Sequence, residues 1–296
     1  MTYSFYPGCA LEASSVQYNQ STRAVCQALE IELVELEDWN CCGATAYMSV
    51  RELRSFALAA RNLALAERAG WDLVTVCSAC YTVLNKTNRY LAENGNLRNR
   101  IGTALAAAGL EYHGTVQVRH LLEVLVNDIG PEAIAERAQG SLQGLKVAPY
   151  YGCQITRPYS AFDDPDFPTS LDTLFASLDA EIVPYALKTK CCGGMLMTTN
   201  EEIALKLVKN LLQCAAAEGA ECLVTTCPLC YVNLDSYQGK ISRQFGAPLE
   251  IPVLFFTQLL GVALGLPAPQ LGLDKSIVPA QHLLAKYLPG SSEDEK

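Results

Sequence analysis

Two short apolar runs, spaced far apart, set the rhythm of the chain. In DLVTVCSACY (Asp72–Tyr81), and again in CLVTTCPLCY (Cys222–Tyr231), a β-branched stretch ends in Cys-x-x-Cys-Tyr. Runs of this length and composition predict short buried strands. Ahead of each lies a helical period: Leu53, Phe56, Ala60 and Leu63 share one face of the first, and Ile203, Leu207, Leu211 and Ala215 one face of the second. SVRE (Ser49–Glu52) and TNEE (Thr199–Glu202) read as capping boxes opening these helices. Gly70 and Gly219 stand where the helices should stop.

The recurrence extends over most of the chain. YSFYPGC (Tyr3–Cys9) answers VAPYYGC (Val147–Cys153), the CCG at Cys41–Gly43 answers that at Cys191–Gly193, and Cys77 and Cys80 answer Cys227 and Cys230. From the adjacent cysteines onward the offset is constant at 150 residues. Before them the second copy is six residues longer, around FDDPDFP (Phe162–Pro168), which reads as an inserted loop. Each copy runs strand–Cys, helix, strand–Cys-Cys, helix, strand–Cys-x-x-Cys, helix. The expected fold is α/β: two tandem, pseudo-symmetric, Rossmann-like domains from an internal duplication. They should occupy residues 1–140 and 145–288, with Ala135–Gly144 as the joint and 289–296 as a disordered tail.

Composition narrows the function. Half of the 296 residues are apolar and 18% are charged, enough for a substantial core. The net charge is -9 with no basic block, which argues against nucleic-acid binding. The first residues lack a basic, then apolar, secretory leader. The longest apolar run (Val253–Leu266) contains Thr257 and Gln258 and is too short to span a bilayer. A cytoplasmic protein that does not span a membrane is expected. Thirteen cysteines in such a protein favour metal binding or redox chemistry over disulfides.

Ten of them form two quintets: Cys9, Cys41, Cys42, Cys77, Cys80, and Cys153, Cys191, Cys192, Cys227, Cys230. The Cys-x-x-Cys pairs fall at strand-to-helix junctions, where free amides and the helix dipole should favour thiolates. Pro228 suits the first turn of its helix. Adjacent cysteines share a peptide and chelate one tetrahedral ion poorly, but reach two metal atoms readily. A single zinc and a cubane four-iron cluster each take four ligands. Five thiols therefore suggest a cubane with one spare reactive Cys, or an irregular multi-iron cluster. Cys26, Cys214 and Cys222 read as small core residues, Tyr81 and Tyr231 as packing residues beside the site, and His120, aligned with Phe255, as a core or capping group.

These motifs resemble the cysteine-rich CCG-domain family, and their duplication over roughly residues 1 to 265 resembles its branch of heterodisulfide reductase B subunits. VRHLLEVLVNDIG and FFTQLLGVALG add to the likeness. The resemblance implies two noncubane [4Fe-4S] clusters, one ligated by each quintet. It implies a disulfide bound between them and cleaved, or formed, in successive one-electron steps. Relatives of the methanogen type carry His after the second copy's first cysteine, where this chain has Gln154, so its substrate and proton handling are expected to differ. Arg157, Lys188 and Lys190 lie near motif cysteines and could receive an acidic substrate. The chain carries no flavin or nucleotide fingerprint and no ferredoxin spacing. The resemblance thus implies partners in the same complex: a ferredoxin-like iron–sulfur subunit, fed in turn by a flavin subunit. Two other readings stand beside this one: an iron–sulfur relay subunit of a lactate, glycolate or succinate-type dehydrogenase, and a zinc-stabilised interaction module.

Overall fold

The computed structural model describes residues 1–44, 46–159 and 162–289. The segment expected to be a tail lies, beyond Pro289, outside the described residues. Strands β1 (Thr2–Phe5), β2 (Glu32–Glu35), β3 (Leu73–Thr75) and β4 (Val118–His120) form a parallel sheet in the order β2-β1-β3-β4. Strands β5 (Lys146–Tyr150), β6 (Glu181–Ile182), β7 (Cys222–Thr225) and β8 (Val253–Phe255) repeat this as β6-β5-β7-β8. The two sheets are the duplicated α/β halves expected from the repeat. Thr75 pairs with His120 in one sheet and Thr225 with Phe255 in the other, which confirms the alignment of His120 with Phe255.

The two apolar runs are β3 and β7, inner strands buried at every residue because helices cover both faces. The edge strand β2 is mostly exposed and carries Glu32 and Glu35, charges that discourage edge-to-edge pairing.

The two long amphipathic helices span Glu52–Ala69 and Glu201–Ala217, and their starts correct the expected capping boxes. Ser49 and Thr199 belong to short preceding helices, Ala46–Val50 and Leu196–Thr199. Asn200 caps the second long helix instead, its side chain accepting from the Ile203 amide, while Arg51 at the start of the first makes no side-chain cap. The buried faces also differ from the expected ones near these starts. Phe56, Ala60 and Leu63 are buried as expected, but Leu53 is 36% exposed. In the second helix Leu211 and Ala215 are buried, Ile203 is 47% exposed, and Ala204, Leu205 and Val208 take the core side. Gly70 ends the first helix at φ +85°, a value that favours a residue without Cβ.

The halves share one continuous core. The Val16–Ala28 helix of the first half lies against the Phe256–Ala263 helix of the second, joined by a 2.7 Å hydrogen bond between the Ser21 and Thr257 hydroxyls. Tyr18 stacks on Phe255 at 3.8 Å, and Phe255 on Tyr231 at 4.2 Å. The stretch expected to be the joint begins inside the Pro131–Arg137 helix, and the amides of Gln139 and Gly140 then donate to the Ala263 carbonyl at 3.1 Å. It is a packed seam.

Candidate metal centres

All ten motif cysteines lie in loops at the carboxyl ends of strands, or in the first turn of the helix that follows. Cys9 follows β1, Cys41 and Cys42 follow β2, and Cys77 and Cys80 follow β3; the second half repeats this after β5, β6 and β7. In a parallel sheet this end is where adjacent loops diverge and leave a crevice.

Gly8 and Gly152 turn the chain just before the first cysteine of each quintet, at φ +73° and +68°. A Cβ on Gly8 would stand 3.2 Å from the Cys80 sulfur, and one on Gly152 3.4 Å from that of Cys230. Both turns therefore favour glycine for conformation, and Gly8 also for room. Each turn is held from behind by a buried tyrosine: Tyr6 donates to the Asn40 carbonyl at 2.9 Å, Tyr150 to the Lys190 carbonyl at 2.7 Å.

The sulfurs pair identically in the two halves. Cys42 and Cys80 stand 3.3 Å apart, as do Cys192 and Cys230. Cys41 stands 3.6 Å from Cys9, and Cys191 likewise has Cys153 as its sulfur neighbour. Neighbours in sequence thus turn to different partners, with Cys41 and Cys191 exposed and Cys42 and Cys192 buried. These separations far exceed the roughly 2.05 Å of a disulfide. They approach the ~3.8 Å between two thiolates on one tetrahedral metal with bonds of about 2.3 Å.

Burial and crowding set the acidities. Cys41 is held far below the ordinary thiol range by hydrogen bonds with Cys42 and Cys9 and by the Gly43 amide; Cys191 is held down by Cys153, Cys192 and the Gly193 amide. Cys227 is also lowered, by Cys230 and Cys77 and by amides of its own helix start. The expectation that both Cys-x-x-Cys pairs ionise readily fails elsewhere. Cys77 is raised, first by its hydrogen bond with Cys227, and Cys80 and Cys230 are raised by their sulfur neighbours and by desolvation. Several negative sulfurs in a dry site repel one another, and a positively charged multi-metal group bound by all of them removes that conflict.

The first quintet lines a cavity of about 270 Å³, several times the roughly 30 Å³ share of one water. Met195, Pro228, Leu229 and Val232 of the second half close it. Among the described residues no three His, Cys, Asp or Glu side chains are arranged to hold a single metal ion. The thiols of the first quintet stand around this space instead, a donor set that fits an iron–sulfur cluster, and the second quintet repeats the donor set. The two quintets also meet, because Cys77 and Cys227 are neighbours across the seam and shift each other's acidity. Beside them the Ser78 hydroxyl lies 2.9 Å from that of Thr226.

The other candidates divide. Gln154 lies in the loop after Cys153, and its carbonyl accepts from the Thr82 hydroxyl of the first half. The charged ends of Arg157 and Lys188 are engaged within the second half. Arg157 donates to the Thr189 carbonyl at 2.6 Å, and Lys188 to Asp172 at 3.0 Å and to the Pro168 carbonyl at 2.8 Å. None of Gln154, Arg157, Lys188 and Lys190 lines the cavity on the first quintet. Tyr81 and Tyr231 are buried packing residues, Cys26 and Cys222 are core, and Cys214 is only half-buried. His120 caps: its Nδ1 accepts from the Leu122 amide and its Nε2 donates to the Val76 carbonyl, both at 3.1 Å. Sequence reasoning missed Asn233, whose side-chain nitrogen lies 3.7 Å from the Cys192 sulfur. Its signal was a mismatch between the copies, which carry Val83 and Asn233 at equivalent positions.

Comparison with known proteins agrees with this geometry. The cysteine-rich domain family named CCG matches residues 3–85 and 147–235. The 8-methylmenaquinol:fumarate reductase membrane anchor subunit of Wolinella succinogenes is 35% identical over 95% of this chain and 98% of its own length. The B subunit of the ferredoxin/F(420)H(2)-dependent CoB-CoM heterodisulfide reductase of Methanosarcina acetivorans is 33% identical over 96% of each chain. A hypothetical protein from Helicobacter pylori shares the fold, with a TM-score of 0.76 at 16% identity over 94% of this chain and 52% of that one. No helix among the described residues is long and apolar enough to cross a membrane. With both repeats matched and relatives aligned nearly end to end, the chain belongs to the cysteine-rich CCG-domain family, in the group that resembles the heterodisulfide reductase B subunit.

Proposed function

We propose that the chain is the catalytic subunit of a heterodisulfide reductase-type complex, holding one noncubane [4Fe-4S] cluster on each quintet and reducing or forming a small disulfide between them. The observation that carries this reading is the cavity whose floor is the first quintet and whose wall is the second half. When bound, such clusters exchange single electrons, two of which a disulfide takes up as it becomes two thiolates.

The chain's own residues supply the rest. Ala10, Ala44, Met195, Leu229 and Val232 make the cavity's surroundings apolar, which suits a sulfur-containing ligand and keeps water from competing. Cys9 and Cys41, exposed at the rim, mark the side open to a substrate. Gln154, on the loop bonded to Thr82 across the seam, presents a neutral amide that can donate or accept a hydrogen bond but cannot deliver a proton as an imidazolium does. Arg157 and Lys188 take part by shaping the loop around Cys153. Electrons would reach the site from a ferredoxin-like iron–sulfur subunit and a flavin subunit of the same complex. The cytoplasm is the proposed setting.

The fumarate reductase relative favours a second reading, an iron–sulfur relay subunit in a dehydrogenase-type or quinol:fumarate reductase-type complex. One experiment separates the two. Protein isolated anaerobically should contain about eight irons and matching sulfide per chain. Mixing it with candidate disulfides should then produce a substrate-dependent paramagnetic signal. Iron-loaded protein that answers no disulfide, yet is reoxidised through its partners, would favour the relay; zinc without iron would exclude both.

A further inference from the structure

The repeat is broken at a position next to the thiols. Val83 and Asn233 occupy equivalent places in the helix after each Cys-x-x-Cys, and both are buried. Val83 offers the first quintet only hydrocarbon. Asn233 places its Nδ2 3.0 Å from the Gly194 carbonyl, 3.2 Å from the Cys192 carbonyl and 3.7 Å from the Cys192 sulfur. The two carbonyls fix the amide's orientation, since a reversed side chain would set its oxygen against two acceptors. The positive pole of a buried amide therefore stands against a motif sulfur in the second half.

The first half secures the same turn without touching sulfur. Ser55 donates to the Gly43 carbonyl at 3.4 Å, and Asn62 exchanges two hydrogen bonds with the backbone of Asn40 at 2.8 and 3.0 Å. Backbone donors to the adjacent cysteines are matched between copies, Gly43 and Ala44 in one, Gly193 and Gly194 in the other, and cancel in a comparison. Asn233 does not cancel. A ligand sulfur gains negative charge when the metal group it holds is reduced, so a donor beside it favours the reduced state and raises the potential. Low local dielectric enlarges the effect. Lys190 acts in the same direction where the first copy has Asn40, weakly because it is exposed. The greater exposure of Cys9 compared with Cys153 acts in the opposite direction, and Asn233 has to outweigh it.

We propose that Asn233 raises the reduction potential of the metal group on the second quintet above that on the first. The two sites are then a polarised pair in which an added electron settles on the second half. Asn233 is a positioning and tuning residue. The inference rests on the reading that the quintets hold iron–sulfur clusters, and is independent of which reaction they perform.

The test is a redox titration of the anaerobic full chain followed by EPR, with Cys153→Ser used to identify the second-half signal by its loss. The wild type should show the second-half signal at the higher midpoint. Asn233→Val should lower that midpoint alone, by about tenfold in the ratio of reduced to oxidised site at fixed potential, or ~59 mV for a one-electron couple. Val83→Asn should raise the first-half midpoint. An iron-replete Asn233→Val protein with an unmoved midpoint overturns the inference, and so does a wild type with the order reversed. If Asn233→Val loses its iron, Val83→Asn decides: an unmoved first-half midpoint overturns it. An iron-free wild type removes the cluster reading and this inference together, whereas iron-loaded protein inert to disulfides removes only the proposed reaction.

Discussion

The two halves carry the same five-thiol plan and brace it differently. In the first, the polar groups behind the CCG turn come from the Glu52–Ala69 helix, ahead of the Cys-x-x-Cys: Ser55 and Asn62 bond to the backbone of Gly43 and Asn40. In the second, Leu205 and Leu212 stand at those positions, and the brace comes from Asn233 on the Pro228–Ser236 helix, after the Cys-x-x-Cys strand. His120 and Phe255 differ in the same way, a hydrogen-bonding ring in one half and a stacking ring in the other. Duplication copied the ligands, while their supports diverged. Because the supports control charge and rigidity around the sulfurs, near-identical ligand sets can be chemically unequal sites.

The largest effect is expected from the ligands themselves. Cys42→Ser and Cys192→Ser should each remove about half of the iron and sulfide, since each serine empties one quintet. Elemental analysis of anaerobic protein checks this. If either variant lost all its iron, the contact of Cys77 with Cys227 would make the two sites one cooperative unit.

A smaller difference separates the two CCG glycines. Both have positive φ, +76° at Gly43 and +89° at Gly193. An added Cβ at Gly193 would meet the Ala204 Cα at 3.1 Å and Cβ at 3.0 Å, whereas at Gly43 it would meet the Ser55 hydroxyl at 2.9 Å. A hydroxyl can rotate away; a helix backbone cannot. Gly193→Ala should therefore cost about 3–4 kcal/mol, from left-handed strain plus overpacking, and Gly43→Ala about 1–2 kcal/mol. Denaturant titrations of the two variants side by side would show the order, and equal losses would contradict it.

How much of this could be read in advance depends on what repeats. Motif spacing gave the paired α/β units and all ten thiols because the same strand-to-loop junction recurs at fixed offset. Helix starts lie two residues beyond Ser49 and one beyond Thr199: both fit a local capping pattern, but short helices absorb them, and in the second half Asn200 takes the role. The seam was invisible, since contacts such as Ser21 with Thr257 join residues 236 apart in the chain and leave no local signature. Arg157 and Lys188 were near cysteines in sequence, yet their charged ends found Thr189 and Asp172 instead.

His120 makes the comparison depend on pH. Desolvation depresses its pKa from 6.5 to about 4. Protonation at Nδ1 would break the bond it accepts from Leu122. The unfolded chain takes up this proton first, so the contribution is complete above pH 6.5 and is lost as pH falls toward 4. Between pH 6.5 and 5 it should amount to about 2 kcal/mol. His120→Phe, copying Phe255, should be somewhat less stable at neutral pH because Leu122 loses its cap, but should lose less on acidification. A slope identical to that of the wild type would exclude His120 as the source.

The smallest effect concerns the seam. Ser78 reaches Thr226 across it, its hydroxyl 3.1 Å from the carbonyl and 2.9 Å from the other hydroxyl, and all of these atoms are buried. The equivalent of Ser78 in the other copy is Pro228, which has no hydroxyl, so the bond exists in one direction only. Ser78→Ala should cost about 1–2 kcal/mol, mostly by leaving the Thr226 hydroxyl unpaired in a dry place. Iron content should stay unchanged if each quintet holds its own cluster by its own loops. If Ser78→Ala instead lowered iron in both halves, the seam would be a shared support of the two sites, and each quintet would no longer hold its metal group by its own loops alone.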